Sequence, residues 1–100
     1  MLPSSKQAFA ILQALHNANA PLNEEELKSG YKAVSDEFFD GKLPIDIPTI
    51  VSPIMLREAI QSLMPLDIEN NGDGRIKITK HGIKYSLPGL KSFVPQRTLA

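Results

Sequence analysis

The chain contains no cysteine, which removes disulfides, thiolate nucleophiles and cysteine-bound metals together. A reducing, cytoplasmic setting is the expectation that agrees with this absence. Net charge is absent too. Eleven Lys and Arg balance eleven Asp and Glu, which argues against a strongly basic nucleic-acid binder. No run approaches the ~18 apolar residues of a membrane span, so no membrane partner is expected. The only two histidines, His16 and His81, have no companion at metal-ligand spacing. Ser, His and Asp occur without the nucleophile–base–orienter pattern of covalent catalysis, and no Gly-rich loop is placed to cradle phosphate. The chain therefore reads as a non-enzyme with no cofactor and no metal. Lys6, Ala8–Leu15 and Ala18-Asn19-Ala20 loosely imitate a signal peptide, but Gln13 breaks the short apolar stretch and the same residues make a better amphipathic helix.

What is present fits one globular domain. A hundred residues are too few for two cores, and a hydrophobic fraction of 42% is too high for a disordered chain. The charges are unevenly placed. Residues 23–46 hold seven acids (Glu24, Glu25, Glu26, Asp36, Glu37, Asp40, Asp46) against three lysines. Residues 74–100 hold six bases (Arg75, Lys77, Lys80, Lys84, Lys91, Arg97) and no acid. An acidic face and a basic end are one reading, able to orient a partner; chance and solubility are the other.

Periodicity gives the elements. A first helix is expected from about Ser5, capped by Ser4 with Gln7, with Ala8, Ile11, Leu12 and Leu15 on one face and Phe9 beside it. Asn17–Pro21 ends it. Asn23 and Glu26 then have capping-box spacing, Leu22 and Leu27 that of a hydrophobic staple, and three glutamates suit the positive end of the helix dipole. Leu27, Tyr31, Val34 and Phe38 continue an apolar stripe, weakened at Gly30 and stopped at Gly41. Pro44 and Pro48 forbid a regular helix over 42–51, which reads as extended, with room for a short edge strand. Ser52 caps a third helix with Pro53 in its first position, burying Leu56, Ala59, Ile60 and Leu63 and closed by Pro65.

A hairpin follows. Leu66 and Ile68 alternate with Asp67 and Glu69; Ile76 and Ile78 alternate with Arg75, Lys77 and Thr79. Asn70-Asn71-Gly72-Asp73-Gly74 between them tolerates positive φ. The loop has an EF-hand look from Glu69, but its twelfth position is Lys80, where a bidentate Glu is needed, and strands flank it, so hairpin is the reading. Thr79 can cap a last short helix running to about Leu87, after which Pro88-Gly89 releases residues 88–100 as a tail; residues 1–87 form the domain.

Three helices, a hairpin and a short helix make an α+β chain in the order of a winged helix. Over residues 52–87 the amphipathic helix, strand, Gly/Asn/Asp turn, second strand and Thr79-Lys80-His81-Gly82 resemble the recognition helix, wing and following Thr-x-x-Gly of many bacterial winged-helix regulators. The join over 41–51 is longer than winged helices usually have between their second and third helices.

Two kinds of partner follow from that layout. If the third helix reads DNA, its exposed face offers Arg57, Gln61 and Ser62, with Glu58 among them, and Arg75, Lys77, Lys80 and Lys84 cluster at the wing for phosphate contact. The simpler account makes the first group a solvated face and the wing lysines guards against edge-strand aggregation. The competing partner is another protein or a second copy of the chain. Ile45, Ile47, Ile50, Val51, Ile54 and Met55, with Leu90, Phe93 and Val94, are more apolar surface than a three-helix core obviously needs. Their plain alternative is to complete the core of a small domain. Protein interaction or homodimerisation is the leading expectation and DNA binding the alternative.

Overall fold

A computed structural model describes residues 5–39 and 53–94, with the backbone alone for residues 53–57 and 93. The elements are α1 (Ser5–Ala18), α2 (Glu24–Phe39), α3 (Pro53–Leu63), β1 (Ile68–Asn70), β2 (Ile76–Ile78), a π-helical turn (Gly82–Ser86), α4 (Leu87–Leu90) and a 3-10 turn (Lys91–Phe93). This is the expected α+β class, mostly helical with one antiparallel hairpin. Ser4, Gly41, Ser52 and residues 42–51, expected to be extended, lie outside the described residues.

The core is built around α1. Ala8, Phe9, Ala10, Ile11, Leu12, Ala14 and Leu15 are all buried, so the helix is enclosed on more than the single face its periodicity suggests. It packs against α2, α3, β2 and α4. Asn19 ends it in the left-handed conformation, φ 50°, which Asn tolerates better than most residues.

The start of α2 is a complete capping box. The Glu26 amide donates to Asn23 Oδ1 at 2.8 Å, and the Asn23 amide donates to Glu26 Oε1 at 3.0 Å. Leu27, Tyr31 and Val34 are buried as the stripe requires. At the far end the phase moves on by one residue: Phe39 is buried and Phe38 only partly so, and both meet Phe9 edge-on, at 6.2 and 5.4 Å between centroids. Gly30, read from sequence as a weakness, sits where an added Cβ would lie 3.1 Å from Ala14 Cβ, so its small size sets the approach of α2 to α1.

In α3, Ile60 is buried and Ala59 and Leu63 pack against the core. The hairpin pairs Ile68 with Ile78, Glu69 with Lys77 and Asn70 with Ile76. Ile68 is fully buried and Ile76 and Ile78 lie against the core, leaving Glu69 and Lys77 outside. Gly72 and Gly74 take φ of 88° and 81° at the tip, and the Asn70 and Asp73 side chains accept from the Gly72 and Arg75 amides. The alternation expected to begin at Leu66 begins at Ile68 instead. Leu66 lies in the turn after α3, where the Asp67 amide still donates to Leu63 O, and it is exposed.

The sequence pattern did not indicate how the hairpin is held to the helices. Leu22, just before α2, forms an antiparallel bridge to Ile76: each amide donates to the other's carbonyl, at 2.8 and 2.9 Å. Leu22 therefore acts as a one-residue strand on the outer side of β2.

The last helix also departs from expectation. It was to end near Leu87, with Pro88-Gly89 releasing a tail, yet residues 80–93 follow one helical path. A proline inside a helix lacks a donor and its ring crowds the preceding turn. Here the preceding turn is π-helical, with the Leu87 amide donating to Gly82 O, and Pro88 falls in the first positions of α4. The wider turn gives the ring its room. Leu87 is buried, and Leu90 and Val94 pack against the core.

Candidate interaction surface

The base of the hairpin and the helix after it are joined through two residues. Thr79 Oγ1 donates to Leu66 O at 2.6 Å and accepts from the Gly82 amide at 3.0 Å, while the Thr79 amide donates to Asp67 O at 2.8 Å. This is the physical content of Thr79-Lys80-His81-Gly82. Thr79 is an N-cap, and the residue three further on must be glycine because a Cβ there would stand 2.8 Å from both Asp67 O and Ile78 Cγ1. Asp67 is the second joint. Its Oδ1 accepts from Ser86 Oγ at 2.5 Å and lies 3.1 Å from His81 Nδ1, placed to take that N–H as well. Ser86 directs its proton to Asp67 and not to His81, so the three groups form a tether and no nucleophile–base pair.

Around this joint the charged residues are not equally available. Arg75 Nη1 is 3.0 Å from Glu26 Oε1, and Lys77 Nζ is 3.1 Å from Glu69 Oε1 across the strands. Half the basic wing residues expected for phosphate contact are thus paired with carboxylates. Lys80 and Lys84 are exposed and have no carboxylate partner among the described residues. Lys84 Nζ lies 5.4 Å from the Tyr85 ring centre, and the His81 and Tyr85 rings are 5.1 Å apart.

On α3, Gln61 and Ser62 are exposed as expected, but Ser62 Oγ donates to Ala59 O of its own helix at 2.7 Å. The side chains of Arg57, Ile54 and Met55, and of Phe93, lie outside the description, as do residues Ile45, Ile47 and Ile50. Leu90 and Val94, candidates for an exposed interface, are instead partly buried on the core, because the helix carries on past Pro88 and turns them inward.

Among the described residues the exposed large apolar side chains are others: Leu66 at 60%, Tyr85 at 59% and Ile83 at 40%. Leu66 and Ile83 flank Thr79, which donates to Leu66 O through its hydroxyl and accepts from the Ile83 amide at its carbonyl, and Tyr85 follows on the same helix. Helix phase carries the missed signal. Once Gly82 is turned inward, Ser86–Leu87 and Leu90 share its face, and Ile83 and Tyr85 must look out. Among the described residues no group of three or more His, Asp or Glu is arranged to hold a metal, and no helix is long and apolar enough to cross a membrane.

No protein-family model matches the chain, and no curated protein or solved structure matches it significantly.

Proposed function

We propose that the chain is a non-enzymatic binding module, a winged-helix-like domain that works by contact with another protein or a second copy of itself. The observation that carries this reading is the exposure of Leu66, Ile83 and Tyr85, all on the two segments joined at Thr79. Large apolar side chains left exposed on neighbouring segments gain from being covered. The winged layout is supported by element order and by the Leu22–Ile76 bridge, which lays the hairpin beside the helices as a wing.

DNA binding is the second reading, favoured by Lys80 and Lys84, which have no carboxylate partner among the described residues. It is weakened by the pairing of Arg75 with Glu26 and Lys77 with Glu69, since each phosphate contact there first requires breaking an ion pair. Titration against duplex DNA at several salt concentrations separates the two. The protein-contact reading expects no binding at low salt. Binding with a log–log salt slope of several units, weakened by Lys77→Glu with Lys80→Glu, overturns it in favour of DNA.

A further inference from the structure

The outer face of residues 80–93 carries Lys80, Lys84 and Lys91, all exposed, with Ile83 and Tyr85 flanking Lys84 and no acid anywhere on the segment. The outer face of α2 is its opposite. That helix has five carboxylates against two lysines, a net of −3 where the C-terminal path has +3, although one of the five, Glu26, is already paired with Arg75. Glu25, Ser29, Ala33 and Glu37 recur every four residues and are all exposed, with Asp36 beside Glu37 and Lys28 and Lys32 along one margin.

The two faces also match in spacing. Lys80 and Lys91 are eleven positions apart, as are Glu25 and Asp36; at about 1.5 Å per residue the α2 span is near 16 Å, and the π-helical turn makes the other somewhat shorter. Each face has two charges at one end, Lys80 and Lys84 on one and Asp36 and Glu37 on the other; at the far end stand Lys91 on the first and Glu25, between Glu24 and Glu26, on the second. Between its acidic ends α2 exposes the small side chains Ser29 and Ala33, a shallow ridge for Ile83 and Tyr85 to straddle, with Lys32 the one exposed base beside it.

We infer that the basic face of residues 80–93 docks on α2 of a second copy of this chain, with Lys80 and Lys84 against Asp36 and Glu37. In a two-fold dimer the contact occurs twice, each copy giving its basic face and receiving on its acidic one. The inference rests on the protein-contact reading above and names its partner.

Charge exchange tests it. Lys80→Glu with Lys84→Glu makes one variant; Asp36→Lys with Glu37→Lys makes the other. All four positions are exposed, and the new charges suit the helix ends they occupy; circular dichroism of each variant against the parent checks the fold. By sedimentation the parent is expected to dimerise at low salt and to dissociate towards about 1 M salt, where the screening length is about 3 Å. Each variant alone should dimerise about tenfold or more weakly, having two like-charge contacts. An equimolar mixture should dimerise like the parent. The mixed pair holds one native contact and one with both signs reversed, so both are attractive.

Variants that dimerise as well as the parent would overturn the inference while leaving protein contact standing through another surface. A parent monomeric at low salt and silent toward DNA would overturn it too, leaving a different protein as the partner. A monomer that binds DNA with a steep salt slope would bring down both the inference and the reading beneath it.

Discussion

One carboxylate oxygen, Oε1 of Glu26, accepts from the Asn23 amide and from Arg75 Nη1, both at 3.0 Å. It closes the capping box of α2 and holds the hairpin to that helix, across 49 positions of sequence. The two roles separate by mutation. Glu26→Gln keeps an acceptor for Asn23 and loses the charge, so it should cost no more than about 0.5–1 kcal/mol, the range of an exposed pair. Glu26→Ala loses the cap as well and should cost about 1–2 kcal/mol. Urea denaturation of these with Arg75→Ala as a double-mutant cycle gives the coupling. Equal losses for Gln and Ala would mean that the cap contributes nothing.

Gly82→Ala separates local propensity from packing. In an open helix the change should stabilise by up to about 1 kcal/mol. Here the new Cβ meets Asp67 O, a backbone atom, and Ile78 Cγ1 at 2.8 Å. Neither is the free end of a flexible chain, so a net loss of about 1–3 kcal/mol is expected, as for overpacked interiors. Thermal unfolding reads it directly. A gain in stability would mean that the hairpin and the last helix are not in contact as described.

Asp67 is the joint whose loss should be felt on three elements. Its carboxylate serves Ser86 and His81 while mostly buried, with its side chain 13% exposed. Asp67→Ala strands the Ser86 hydroxyl and should cost about 2 kcal/mol, against about 1 kcal/mol for Ser86→Ala. Amide hydrogen exchange should show protection lost over 80–90 before it is lost in α1. Uniform loss across the chain would show that the joint does not act locally.

Most of the elements were legible because each was signalled by neighbours in sequence. Asn23 and Glu26 announce the start of α2, and Gly72 and Gly74 the hairpin tip, through chemistry complete within a few residues. The misplacements share another cause: they depend on what is far away. Leu22 reads as a staple residue because its pairing partner, Ile76, is distant in sequence. Pro88 reads as a stop because a π-helical turn cannot be inferred from propensity, and with it went the inward turn of Leu90 and Val94. The basic hairpin was visible as composition, but its pairing with Glu26 and Glu69 was not, since charge counts do not say who faces whom. Leu66, Ile83 and Tyr85 became surface candidates only when burial of Gly82 fixed the phase of the last helix.

Tyr31 supplies a pH signature of the core. Its ring is buried between α2 and the cluster around α1, its hydroxyl makes no well-formed hydrogen bond, and burial pushes its ionisation well above the ordinary value of 10.0, with Gln7 pulling weakly the other way. The folded state therefore holds the phenol proton more tightly than the unfolded chain. Stability from this source is fully present below about pH 10 and falls as the pH rises past it, by up to about 1.4 kcal/mol per unit. Tyr31→Phe removes both the buried hydroxyl and the titration. At pH 7 the variant should match the parent or exceed it by up to about 1 kcal/mol, since a poorly satisfied buried polar group is lost. Between pH 8 and 11 the gap should widen in favour of Phe, the lysines titrating alike in both proteins. Urea midpoints at the three pH values decide it. A variant less stable at pH 7, with a gap that does not grow, would place a firm hydrogen-bond partner on the Tyr31 hydroxyl.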